Sequence, residues 1–255
     1  MIASLPMYDW AELRPAHDEF WSSIAAKMHA IGIDAPACLN RNLGLWDTWN
    51  SPDLFMGQTC GMPYRQKLHG TVHLVGTPDY GLTDAPAGHY YSQMVVRVGE
   101  TGSVADFRDR TLAYNGHDSQ SGWAAPQNLA AEMGFQFSHT LHTGAHRESA
   151  FAVAEGRADI AAIDAVTWRL IERYMPDVAC RLMVLDHTTP TPGLPFISAY
   201  GETLQSLRLA VESAIDELRT DTRSALGIGA FVQVPAELYL AVPTPAPPSQ
   251  DMPQN

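Results

Sequence analysis

The chain has 255 residues, 45% of them apolar and 17% charged, with a formal net charge of −12. That composition is globular and excludes global disorder, and the negative sum argues against nucleic acid and anionic membrane as partners. No apolar run reaches the length of a bilayer span, and the opening "MIASLPMYDWAELRP" lacks the basic start and apolar core of a signal peptide.

Strand and helix signals then alternate along the chain. "IASLPMY" reads as an apolar strand. "PAHDEFWSSIAAKMHAIG" reads as a helix, with Phe20, Ile24, Met28 and Ile31 on one face and Gly32 as its stop. "ACLNRN", "LFMGQTC" and "TVHLVGTPDYG" are strand candidates. "YYSQMVVRVG" is a strong one, aromatic and β-branched and ended by Gly99. "TLAYN" is a strand leading into "GHDSQSG" and the helix "GWAAPQNLAAEM". "FSHTLHTG" is a strand and "HRESAFAVAEG" a helix with Gly156 just past its end. "ADIAAID" is a buried strand, "AVTWRLIERYM" a helix and "RLMVLDHT" a strand. After the proline-rich "TPTPGLPFISAYG" comes a helix with Leu204, Leu207, Val211, Ala214, Ile215 and Leu218 on one face.

This alternation predicts an α/β fold with mostly parallel sheets. Breaks near residues 91–99 and 188–195 bracket a block of ordinary domain size. The expected organisation is one lobe from residues 1–95 plus 194–242, a second from 96–193, and two connecting segments as a hinge. Residues 243–255, "PTPAPPSQDMPQN", are expected as a flexible Pro-rich tail.

The chemistry concentrates at strand-to-helix junctions, where ligands of open α/β sheets bind. Ser119, Gln120, Ser121 and Gly122 sit at the mouth of a helix, where amides are free and the dipole is positive. Small residues admit a ligand to those amides and serine hydroxyls add donors, which suits a tetrahedral oxyanion without a lysine. His146 and Asp164 stand at two further junctions. Each residue also has a plainer role: either serine or Asp164 as an N-cap, His146 as a solvated helix start.

These residues carry a resemblance. "LPMYD", "LFMGQTCGMP", "AYNGHDSQSG", "TGAHRESAFAVAEGRADIAAIDAVTW" and "GIGAFVQVP" together resemble the phosphate/phosphonate-type periplasmic substrate-binding proteins of ABC transporters. The resemblance implies a type II periplasmic-binding-protein fold, two α/β lobes with a ligand cleft that closes on its solute. It implies that the Ser-x-Ser-Gly run binds a phosphoryl or phosphonyl head group. The family usually has a hydroxyl residue where this chain has Gln120. His146 and Asp164 carry over as cleft residues, faced by Tyr8 and Thr59 from the first lobe. The implied ligand is a small phosphorus oxyanion: phosphate, phosphite, or an alkyl or aminoalkyl phosphonate. Asp164 would then accept a proton carried by the ligand or pair with its amine, and His146 would donate, more strongly if protonated.

No metal or organic cofactor is implied, and the protein is expected to act as a monomer feeding a permease. The histidines His139, His142 and His146 do not converge as a metal set, because a three-residue step in a strand points the first two apart. Ser119, His146 and Asp164 list the residue types of a hydrolase triad. No G-x-S-x-G elbow, P-loop or dinucleotide fingerprint accompanies them, so an enzyme is not expected. The resemblance implies the periplasm. A native start at Met1 would instead place the chain in the cytoplasm as a ligand sensor, and a cofactor-precursor (pyrimidine) binding protein or enzyme on the same fold is a further alternative. The scattered Cys38, Cys60 and Cys180 read as buried thiols, with a Cys38–Cys60 disulfide as the alternative in an oxidising compartment.

Overall fold

A computed structural model describes residues 1–248. The chain divides into two units, Met1–His89 with Pro192–Leu240, and Tyr90–Thr191 with the residues from Ala241 onward. It therefore passes between the units three times, at 89/90, 191/192 and 240/241. At the first two passages the short strands β4 (His89–Tyr90) and β10 (Thr191–Pro192) pair with each other.

Unit 1 is built on five strands in the order β1-β2-β11-β3-β12. These are β1 (Ile2–Ser4), β2 (Leu54–Gln58), β3 (His73–Asp79), β11 (Phe196–Ser198) and β12 (Ala230–Val232). β1 and β2 are parallel, whereas β11 runs antiparallel to β2 and β3, and β12 antiparallel to β3. The sheet is thus mixed rather than mostly parallel. Helix α1 (Arg14–Ala30) buries Phe20, Trp21, Ile24 and Met28, and Phe20 meets Phe196 of β11 with ring centroids 6.2 Å apart. Ile31, expected on that buried face, is 58% exposed because the helix has already ended. Gly32 then turns the chain with φ +77°, a conformation costly for any other residue. Helix α5 (Leu204–Asp216) buries Leu207, Val211, Ala214 and Ile215, with Leu204 and Leu218 half-buried at its ends.

Unit 2 has its own sheet in the order β7-β6-β8-β5-β9. Its strands are β5 (Ser92–Arg97), β6 (Leu112–Tyr114), β7 (Thr140–His142), β8 (Ile160–Asp164) and β9 (Leu182–His187). β6 is parallel to both β7 and β8, while β5 runs antiparallel to β8 and β9. Met94, Val96, Phe107, Leu112, Phe137 and Ile160 form the core under the sheet, each large side chain contributing about 1.5–3 kcal/mol by leaving water. Helices α2 (Ala125–Glu132), α3 (His146–Ala154) and α4 (Ala165–Tyr174) follow β6, β7 and β8 in turn. The buried Gln127 of α2 is bonded at both ends of its amide, its nitrogen donating to the Phe137 carbonyl and its oxygen accepting from the Phe137 amide.

Three expectations fail locally, in whole or in part. "ACLNRN" is not a strand: the Asn40 side-chain oxygen accepts from the amides of Asn42 and Leu43, a local turn that takes the place of a ladder. None of the three cysteines is disulfide-bonded, and Cys38 and Cys180 are exposed, leaving only Cys60 as a buried thiol. The segment expected as a loose tail is hydrogen-bonded in part: Trp123 Nε1 donates to the Ala246 carbonyl and Asn128 to that of Pro243. Its last residues, 249–255, lie outside the described residues.

Candidate functional site

Because β6, β7 and β8 are parallel, their three exits lie along one edge of the unit 2 sheet. The chain leaves β6 at Tyr114 and forms a wide π-turn, Gln120–Ala124, before α2 begins. It leaves β7 at His142 and enters α3 at His146. It leaves β8 at Asp164 and enters α4 at once.

Ser119 caps the π-turn, its Oγ accepting from the Gly122 amide at 3.1 Å. Its carbonyl receives the amides of both Trp123 and Ala124, which widens the turn. Ser121 Oγ lies 3.4 Å from Ser119 Oγ and 2.7 Å from His146 Nε2. A Cβ on Gly122 would stand 1.9 Å from Asn115 Oδ1 and 3.2 Å from His146 Cε1, so a side chain there requires Asn115 to move. Ser119, Ser121, Gly122 and His146 are therefore one contiguous cluster, with Gln120 buried in the same turn. No lysine or arginine occurs between Arg110 and Arg147. The donors here are hydroxyls, amides and an imidazole, on the positive end of a helix.

His146 is neutral rather than cationic. Burial pushes its pKa down to about 4, with the Ala162 backbone working weakly the other way. Nδ1 is shut off from solvent and makes no hydrogen bond of ordinary geometry. At pH 7 the uncharged ring is held against Ser121. The unfolded chain protonates this histidine near 6.5, the folded chain only near 4, so stability must fall as pH drops through that window. We expect the stability difference between the wild-type chain and His146→Gln to shrink from pH 7 to pH 4.5 in urea titrations. A constant difference would mean that the ring titrates normally.

Asp164 is 2% exposed and serves as the cap of α4, its Oδ1 accepting from the amides of Val166 (2.8 Å) and Thr167 (3.0 Å). The plainer role is thus realised for Asp164, as it is for Ser119. Ser92, which the sequence does not single out, joins the two exits. It pairs in register with Asp164 across β5 and β8, and its Oγ donates to the Ser121 carbonyl at 2.9 Å. Asn115 is likewise unmarked in the sequence, and its Oδ1 packs on Gly122. Among the described residues no group of three His, Cys, Asp or Glu is placed to hold a metal ion.

Tyr8 and Thr59 belong to unit 1. Tyr8 follows β1, is 4% exposed and meets the Tyr80 ring edge-on at 5.2 Å. The next residue, Asp9, is gripped by Arg41 through two hydrogen bonds of 2.6 and 3.1 Å. Burial acts to raise the Asp9 carboxyl, but hydrogen bonds from His17 and Arg41 outweigh it and hold the pKa at about 2. Thr59 follows β2 and is fully buried, its hydroxyl directed to the Cys60 carbonyl at 3.4 Å.

The family described as ABC transporter, phosphonate, periplasmic substrate-binding protein matches residues 54–239. The chain belongs to that family. It is a solute-binding protein of phosphonate-type ABC uptake, and the match takes in the whole 119–122 turn, His146 and Asp164, while Tyr8 precedes it. No curated protein matches the sequence significantly. Solved structures resemble it in fold. PhnD1 from Prochlorococcus marinus, in complex with methylphosphonate, aligns with TM-score 0.72 at 12% identity over 93% of each chain. A Xanthomonas citri protein bound to chloride aligns with TM-score 0.71 at 15% identity, over 95% of this chain and 96% of that one. A binding-protein component of an ABC phosphonate transporter from Pseudomonas aeruginosa aligns with TM-score 0.64 at 15% identity, over 91% and 81%. At these identities the likeness is one of fold, that of the type II periplasmic binding proteins. No helix among the described residues is long and apolar enough to cross a membrane.

Proposed function

We propose that the 119–122 turn and His146 take the head group of a small phosphorus oxyanion, a phosphonate before phosphate or phosphite, for delivery to an ABC permease from the periplasm. The observation that carries this reading is the cluster itself. Two serine hydroxyls lie 3.4 Å apart at a helix mouth, backed by a neutral imidazole, within the segment that matches the phosphonate family. Such a cradle binds through hydrogen bonds and the helix dipole. It is suited to holding a ligand rather than transforming it, because an imidazole with a pKa of about 4 is a weak base for activating Ser121. Asp164, as a helix cap, contributes by fixing the β8 exit.

A thermal-shift screen tests the reading. Ligand that binds only the folded chain raises its melting temperature by mass action. Methylphosphonate and 2-aminoethylphosphonate are expected to raise it more than sulfate does, with phosphate and phosphite between. The same screen on Tyr8→Phe and Thr59→Val tests the two unit 1 residues, for which smaller shifts are expected. A rise with a thiamine-pathway pyrimidine alone, or with nothing in the panel, would leave the family as a statement about fold and not about ligand.

A further inference from the structure

The residues after Leu240 leave unit 1 and join unit 2. There they hydrogen-bond to the turn that carries the serines and to the helix that follows it. Trp123, two residues past Ser121 in the π-turn, is 1% exposed and rests on Tyr114, with ring centroids 5.0 Å apart. Its indole nitrogen donates to the Ala246 carbonyl at 3.1 Å. Further along α2, the Asn128 amide donates to the Pro243 carbonyl at 3.0 Å. Pro248, the last described residue, is buried.

An indole N–H held inside a protein needs an acceptor, and leaving it without one is costly. A proline-rich segment makes a good acceptor, since its backbone is stiff and its carbonyls have no ladder partners to serve. We propose that residues 243–246 form a strap that positions the anion cradle, by fixing Trp123 and through it the 119–124 turn. The inference rests on the functional reading only for the ligand. The positioning concerns the turn itself. Trp123 and the strap are positioning elements and touch no ligand in this proposal. Because both acceptors are backbone carbonyls, side-chain changes that keep the prolines should be tolerated, whereas shortening the chain should not.

The test compares the full chain, a chain ending at Leu240, and the full chain carrying Trp123→Phe, which keeps an aromatic ring and removes the donor. Amide hydrogen exchange reads the turn directly, since the Gly122 amide is held by Ser119 Oγ. Exchange at Gly122 should rise at least tenfold in both variants, and methylphosphonate affinity should fall by a similar factor. A synthetic peptide of residues 241–248 should restore both in the shortened chain and should do so poorly when Trp123→Phe is also present. A strap with a merely general stabilising role would show neither that rescue nor that coupling. Should the shortened chain fail to fold, Trp123→Phe decides alone. Unchanged exchange at Gly122 would overturn the proposal whatever the ligand is. If exchange rises but the full chain binds no phosphorus oxyanion, the strap stands and the ligand reading falls.

Discussion

Replacing Ser119 and Ser121 together by alanine should weaken methylphosphonate binding at least a hundredfold while leaving a cooperative fold. Each hydroxyl offers one hydrogen bond to a charged oxygen, worth about 1.5–3 kcal/mol, so two account for a hundredfold or more. The single variants should differ in kind. Ser119 caps the π-turn through the Gly122 amide, so Ser119→Ala should also cost stability, by about 1 kcal/mol. Ser121→Ala removes the 2.7 Å contact with His146 and should act mainly on affinity. Isothermal titration with parallel urea unfolding separates the two effects. Affinity of the double variant within threefold of wild type would move the ligand away from this turn.

The second large effect is expected at Gly122. An alanine Cβ would overlap Asn115 Oδ1 at 1.9 Å and crowd its Cγ at 2.9 Å. No thermal motion absorbs such a contact, so either Asn115 rotates out or the turn opens. Overpacking of this kind typically costs about 1–3 kcal/mol, and if the turn opens it carries Ser119 and Ser121 with it, so binding should weaken as well. Adding Asn115→Gly to Gly122→Ala should recover stability, because the clash needs both partners. A Gly122→Ala chain that melts like wild type, with binding intact, would show that the turn is softer than its packing implies.

Much of this is readable in the residues because local and tertiary preferences agree. "ADIAAID" lies between Gly156, which ends one helix, and Asp164, which caps the next, and it becomes β8. The small residues of "DSQSG" become the closely packed start of a π-turn for the reason that suggests a ligand there, close approach to the backbone. What cannot be read is what depends on distant partners. β5, β11 and β12 run antiparallel to strands far away in the chain, and no local pattern marks direction. Ser92 reaches the cradle from the first position of β5, a place that nothing in its local sequence marks. The charge of His146 depends on burial, which its own neighbours in sequence do not announce. Asn40 reads as part of a strand, yet its side chain closes a turn on Asn42 and Leu43. Asp164 and Ser119 illustrate a further limit: a cap and a ligand contact require the same residue type at the same place.

The order β1-β2-β11-β3-β12 has a bearing on how the protein comes to be made. β2 and β3 are both translated early, yet they are not neighbours; the strand between them, Phe196–Ser198, emerges from the ribosome more than a hundred residues later. During that interval the N-terminal segment carries two strand edges with nothing between them and cannot close its sheet. Unit 1 therefore cannot complete its sheet until most of the chain has been translated, whereas all five strands of unit 2 lie within residues 92–187 and can pair before it.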